Sequence, residues 1–207
     1  MRTTLFVILG YMSGSVLYTH VFSKLMGKGN IFEQSKDQNP GTANAFQYGD
    51  FWCGLGTLAG DVLKGFFPVW LFLRGADAPA SAIAFSLVVA APVVGHAFPI
   101  FFRFQGGKGI AVTFGCLLGL LPVWRPFAFF VGSFLFFSLI IRITPHFQRT
   151  IIAYVSALLC LCVSGQPGEL LAAFLLITGV VCLRLHMSKE PRERMRVLLF
   201  LNNRTVG

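Results

Sequence analysis

Residues 3 to 23 contain no Asp, Glu, Lys or Arg, and apolar runs of the same kind recur as far as Leu183. A helix needs about 20 mostly apolar residues to cross the hydrocarbon core of a bilayer. Inside that core the backbone must satisfy its own N–H and C=O groups, which confines such runs to helices or closed barrels. Composition argues against a soluble domain. Charged residues make up 12% of the chain and hydrophobic residues 55%, whereas an ordinary soluble domain carries about 25% charged residues. The mean hydropathy is +0.71. Disorder, a collagen repeat, a coiled coil and a disulfide scaffold are excluded on the same grounds. The expected fold class is all-α: a polytopic transmembrane helical bundle forming a single domain over residues 1–207.

Seven spans are expected, at residues 3–23, 51–73, 78–102, 110–124, 126–141, 151–163 and 170–183. The first could be a signal peptide, but its apolar run is long and no Ala-x-Ala site follows, so it reads as a helix. The last two are separated by the turn-like Gly165-Gln166-Pro167-Gly168. Seven spans put Arg2, Arg74 and Arg125 on one side of the membrane. Thirteen basic residues fall on the other: Lys24, Lys28, Lys36, Arg103, Lys108, Arg142, Arg149, Arg184, Lys189, Arg192, Arg194, Arg196 and Arg204. Lys and Arg collect on the cytoplasmic side. The N-terminus is therefore expected outside, and residues 184–207 form a basic cytoplasmic tail that anchors to lipid headgroups. The net charge of +9 would suggest nucleic acid on a soluble chain; here topology accounts for it, and no nucleic-acid partner is expected. Cys53, Cys116, Cys160, Cys162 and Cys182 all lie in apolar stretches without a CxxC pair. They read as small buried hydrophobes rather than a disulfide framework.

Two polar segments share the expected cytoplasmic side. The loop from Lys24 to Asp50 is long, about 27 residues, and loops of that length tend to be functional. It holds Asn39-Pro40-Gly41-Thr42-Ala43-Asn44, whose small residues, amides and hydroxyl let backbone N–H groups turn toward an anion. A plain solvated loop is the bland alternative. The second segment runs from Gly95-His96 to Gly106-Gly107-Lys108-Gly109. Glycines around one lysine, just before a helix, suit phosphate: the backbone approaches closely, the helix start offers free N–H groups, and Lys108 adds a point charge. Lys108 is followed by Gly109 rather than Ser or Thr, so this is not a Walker A loop. A flexible turn with an anchoring lysine would look similar. Asp61 and Lys64 stand three apart on one helical face, and an ionisable residue inside a span is a functional candidate by default. As a pair they would also neutralise one another.

These residues resemble one family. Gly95-His-Ala-Phe-Pro through Phe104-Gln-Gly-Gly-Lys-Gly-Ile-Ala is similar to a signature of the bacterial acyl-phosphate:glycerol-3-phosphate acyltransferases. Gly14-Ser15, Asn39-Pro-Gly-Thr-Ala-Asn44 and Asp61-Val-Leu-Lys64-Gly65 resemble three further family motifs in the same order, and together the match covers roughly residues 8 to 115. The resemblance implies a seven-helix membrane enzyme of the bacterial inner membrane, with its active site on the cytoplasmic side. It implies transfer of an acyl group from acyl phosphate to the 1-hydroxyl of glycerol 3-phosphate, giving lysophosphatidic acid for phospholipid biosynthesis. Neither cofactor nor metal is implied, and the partners are the two substrates and membrane lipids. Carried over residue by residue, Lys108 and His96 are the catalytic candidates. Ser15, Asn39, Gly41, Thr42, Asn44, Lys64, Gly106, Gly107, Arg142, Thr144 and His186 are the substrate-binding candidates.

The chain departs from the family pattern at several places. Asn30-Ile31-Phe32 stands for Asp-Ile-Arg, so a phosphate-binding arginine is missing. Lys36-Asp37-Gln38-Asn39 replaces Gly-Ser-Gly-Asn. Arg142-Ile-Thr144-Pro offers Thr144 where a serine is usual, and in the last signature His186 remains while Lys189 stands for Asn. A relative with another phosphorylated acceptor, or without activity, therefore stays open. So does a small transporter, although transporters more often show repeated halves.

Overall fold

The structure is a computed structural model that describes residues 1–35, 37–75, 81–188, 193–199 and 202–206, the last five and Leu199 by backbone only. Lys36, Lys189, Arg192 and the first residues of the expected 78–102 span lie outside the described residues. The chain is built on α1 (Arg2–Ser15), α2 (Tyr18–Leu25), two short helices α3 (Ile31–Gln34) and α4 (Thr42–Asn44), and the long α5 (Phe51–Leu73). Then come α6 (Ala82–Ala97), α7 (Ile110–Leu118), α8 (Arg125–Leu135), β1 (Ile141–Thr144), α9 (His146–Val163), α10 (Gly168–Met187), β2 (Arg196–Leu199) and β3 (Asn202–Val206).

Among the described residues, four helices are long and apolar enough to cross a membrane by themselves: α5, α6 with its extension to Phe102, α9 and α10. A fifth span arises if α1 and α2, bent by 41° at their junction, are taken as one. The other two expected spans, 110–124 and 126–141, form shorter helices, and the reasons are local. The run at 110–124 is helical only to Leu118 and then becomes a turn that contains Pro122, whose missing N–H cannot continue a helix. Helix α8 continues only through a wider π turn, Phe136–Ile140, before the chain becomes extended. The all-α expectation also needs correcting. Strands β1, β2 and β3 form an antiparallel sheet in that order, with Ile141 opposite Leu199 and Thr144 opposite Arg196. The β-branched run Ile-Arg-Ile-Thr suits a pleated strand, and it pairs with part of what reads in sequence as a basic tail.

Helix α5 shows how lipid acts as solvent here. Gly60, Asp61, Lys64, Gly65, Pro68 and Val69 are buried, whereas Leu63, Phe67 and Leu71 are exposed. Its small and polar residues face protein, and these three large apolar residues face outward, as expected where lipid offers no penalty to leucine. Cys160 and Cys162 likewise sit on an outer face, and Cys53 and Cys116 are the buried pair, so only part of the cysteine reading matches. Small residues also let helices touch. A Cβ on Gly14 would collide with the Pro92 backbone of α6, and one on Gly95 with the Tyr11 carbonyl of α1. Gly65 and Gly115 do the same between α5 and α7, against Val112 and Val62.

The core behind the site is aromatic. Phe130 lies 4.6 Å from Phe114, 4.7 Å from Tyr154 and 5.8 Å from Phe174, centroid to centroid. Such pairs add about 0.5–1.5 kcal/mol each beyond area burial. The buried Tyr154 hydroxyl donates to Thr113 Oγ1 at 2.8 Å, and Thr113 donates on to Gly109 O at 2.9 Å. Thus the core holds the end of the glycine-rich turn.

Candidate active site

The glycine-rich turn is shaped by the end of α6. Gly107 N–H donates to His96 O at 3.0 Å, and a Cβ on Gly106 or Gly107 would collide with the His96 carbonyl or ring. Gly106 O accepts from the Arg184 guanidinium of α10 at 2.6 and 3.2 Å. Gly109 then turns through φ +81 to start α7, a conformation that glycine adopts without a Cβ penalty. Lys108 is thereby held at the head of α7, where free N–H groups and the helix dipole favour an anion.

The long first loop arrives from the other side. Thr19 Oγ1 donates to Pro40 O at 3.0 Å, which pins the loop to α2. Asn44 Nδ2 donates to Asn39 O at 2.8 Å and to Asp37 Oδ1 at 2.7 Å. Asn39 N–H reaches the same Oδ1 at 3.3 Å, and Lys108 Nζ pairs with Asp37 Oδ2 at 3.0 Å. Burial pushes the Asp37 carboxyl up, but the Asn44 amide and the Lys108 ammonium outweigh it and hold the group below the usual carboxylate range. The two polar segments therefore meet at one place.

A cavity of about 500 Å³ opens there. Asp37, Asn39, Gly41, Thr42 and Asn44 line it from the loop, Asp61 and His96 from α5 and α6, and Lys108 from the turn. Leu58, Ile110, Ala111 and Phe114 make its apolar side, and Gln47, Tyr48 and His146 complete the wall. A smaller cavity of about 240 Å³ lies against Phe32, Gln38, Gln105, Arg184 and Ser188. Asp37, Asn39 and Lys108 line both cavities, so the ion pair stands between them.

Lys64 sits behind this wall, not on it. Its Nζ donates to Val16 O at 2.6 Å and to His96 Nδ1 at 2.8 Å, and it pairs with Asp61 Oδ1 at 2.7 Å. An ammonium accepts no hydrogen bond, so His96 Nδ1 is the acceptor and the ring proton sits on Nε2. One buried lysine thus joins the α1–α2 break, α5 and α6. Ser15 is also interior, donating to Tyr11 O at 2.9 Å and accepting from Ile100 N–H at 3.4 Å. Of the sequence candidates, Asn39, Gly41, Thr42, Asn44, His96 and Lys108 share the larger cavity, with Gly106 and Gly107 in the turn beside it. Arg142 is exposed on β1, Thr144 donates to Arg196 O at 3.5 Å, and His186 lies near the end of α10; none of the three lines either cavity. No motif marks Gln47, Tyr48 or His146. His146 follows β1 by two residues, and only the fold turns it inward.

Comparison with known proteins gives these features a context. The family profile described as glycerol-3-phosphate acyltransferase matches residues 4–193. A glycerol-3-phosphate acyltransferase of Cupriavidus taiwanensis is 37% identical over 139 residues, 63% of this chain and 68% of that protein. One from Burkholderia orbicola is 40% identical over 123 residues, 59% of this chain and 57% of that protein. Two crystal structures of PlsY (YgiH), an integral membrane glycerol 3-phosphate acyltransferase, are 28% identical to this chain. The glycerol 3-phosphate form superposes with a TM-score of 0.73 over 90% of this chain and 89% of that one. The lysophosphatidic acid form gives 0.70 over 89% and 88%. The likeness thus extends well beyond the motifs of the first half, through α10 and into the segment that follows it, and the chain belongs to the glycerol-3-phosphate acyltransferase family.

Proposed function

We propose that this protein transfers a fatty acyl group from acyl phosphate to the 1-hydroxyl of glycerol 3-phosphate, releasing lysophosphatidic acid and inorganic phosphate. The observation that carries this reading is the cavity shared by the Asn39–Asn44 loop and Lys108. One side offers an ammonium, amides and a helix start, and the other is apolar, with Leu58, Ile110, Ala111 and Phe114. A molecule with a phosphate head and an acyl chain matches both sides at once.

In the reaction the glycerol hydroxyl oxygen attacks the acyl carbonyl carbon. The bond from that carbon to the phosphate oxygen breaks, the phosphate leaves with the electron pair, and the hydroxyl proton ends on the departing phosphate or on water. The donor is already activated, so the protein contributes alignment and charge stabilisation. Lys108 stabilises negative charge on the leaving phosphate. His96, whose Nδ1 is engaged by Lys64, orients the turn through its carbonyl rather than taking the proton at that nitrogen. Purified protein with palmitoyl phosphate and glycerol 3-phosphate should release phosphate and lysophosphatidic acid in equal amounts. Phosphate release without the acylated product would refute this acceptor. A second reading, with another phosphorylated acceptor, is favoured by Phe32 and Asp37, which stand where the family pattern has an arginine and a serine.

The membrane reading extends to seven crossings, with α7 and α8 as short spans, the N-terminus outside and the active site facing the cytoplasm of a bacterial inner membrane. The uneven distribution of Lys and Arg supports it. Cysteines introduced at positions 2 and 204 should be labelled from opposite sides, and labelling from one side would refute the odd number of crossings.

A further inference from the structure

Two acids line the larger cavity, Asp61 and Asp37. Asp61 is matched by Lys64 at 2.7 Å. Asp37 is different, because its partners are the very groups that suit an incoming anion. The Lys108 ammonium, the Asn44 amide and the Asn39 backbone N–H converge on its two oxygens at 3.0, 2.7 and 3.3 Å. Three donors on one anion, at the head of a helix and between two cavities, form an anion site whose occupant is a side chain of the chain itself. The next residue, Gln38, adopts φ +48, a left-handed backbone that L-residues other than Asn and Asp seldom visit.

We propose that Asp37 is a specificity-determining residue whose carboxylate occupies the phosphate position of the unliganded site and competes with phosphate for Lys108, Asn44 and Asn39. A tethered group competes at a high effective concentration, so an incoming phosphate must displace it from these donors. The donor set then binds phosphate more weakly than it would without Asp37, and ligands that turn a neutral or hydrogen-bond-donating group toward the carboxylate are favoured. This rests on the acyltransferase reading only in taking the cavity as an anion site.

The test uses the full chain, purified in detergent, with inorganic phosphate as the probe. Asp37→Asn keeps the shape and the Asn44 bond but removes the charge. Asp37→Ser also removes the reach and serves if the first variant folds poorly. Isothermal titration should show both binding phosphate about tenfold tighter than the parent, which is about 1.4 kcal/mol. With acyl phosphate as donor, KM for glycerol 3-phosphate should fall in the same variants. If folded variants bind phosphate no tighter than the parent, Asp37 only braces the loop and the proposal is wrong. Tighter phosphate binding without any lysophosphatidic acid from parent or variants would uphold this role for Asp37 while refuting the acyltransferase reading. Product formation without tighter binding would do the reverse.

Discussion

Replacing Lys64 distinguishes a substrate ligand from an internal brace. Lys64 is 3% exposed and Asp61 1% exposed, so Lys64→Ala leaves an acid buried without its cation. It also strips Val16 O and His96 Nδ1 of the donor that joins three elements. Breaking a buried pair by deleting one partner costs about 3–5 kcal/mol. That is a large part of the ~5–15 kcal/mol by which folded proteins are stable. A chain of this length loses about 2–4 °C in Tm per kcal/mol, so the expected drop is roughly 6–20 °C. The pair Lys64→Met with Asp61→Asn removes both charges and should recover most of that loss. Intrinsic-fluorescence melting of the purified variants in detergent reads both. If Lys64→Ala melts within about 2 °C of the parent, below the effect of 1 kcal/mol, yet no longer binds phosphate, then Lys64 faces substrate and the argument from its buried contacts fails.

Three further expectations follow from other parts of the molecule. A charge-assisted hydrogen bond to phosphate is worth about 1.5–3 kcal/mol, so Lys108→Ala should lower kcat/KM by about 10- to 100-fold at 1.36 kcal/mol per decade; Lys108→Arg should recover part of it. A change within twofold, per mole of folded protein, would reduce Lys108 to an interfacial anchor. Gly14→Leu forces a side chain into the Pro92 backbone and should cost at least about 1–3 kcal/mol of stability, whereas Gly179→Leu, with nothing within 4 Å of its Cβ position, should leave Tm unchanged. The folded Asp37 carboxyl lies below its ordinary range, so the stability it contributes is complete above the unfolded pKa of about 3.9 and disappears as pH falls through the lower folded value. The Tm advantage of the parent over Asp37→Asn should accordingly shrink between pH 6 and pH 3, and an advantage that grows on acidification would contradict the ion-pair geometry.

The membrane class, the family and the two polar segments themselves are legible along the chain, because each depends on local composition or on a contiguous motif. Runs without charge require lipid-facing helices whatever their order, and Gly106-Gly107-Lys108-Gly109 announces close backbone approach by residue type alone. Helix α5 begins and ends where its apolar run does, at Phe51 and Leu73. Other features depend on distance in space. The sequence places Lys64 and Lys108 alike among the cations near polar motifs, and only the packing of α1, α5 and α6 buries the first while leaving the second at a cavity. Arg142 and Thr144 follow a family pattern, but pairing of β1 with β2 directs Arg142 outward and Thr144 to a carbonyl, while His146 two residues on reaches the cavity wall. Asp37 reads along the chain only as a departure from the family pattern, an acid where a serine is usual. Only the fold carries Lys108, 71 positions away, to within 3.0 Å of it and sets the acid among the donors of an anion site. Contacts of that separation depend on how helices pack through glycines such as Gly14 and Gly65, and a one-dimensional pattern does not encode which surfaces those glycines bring together.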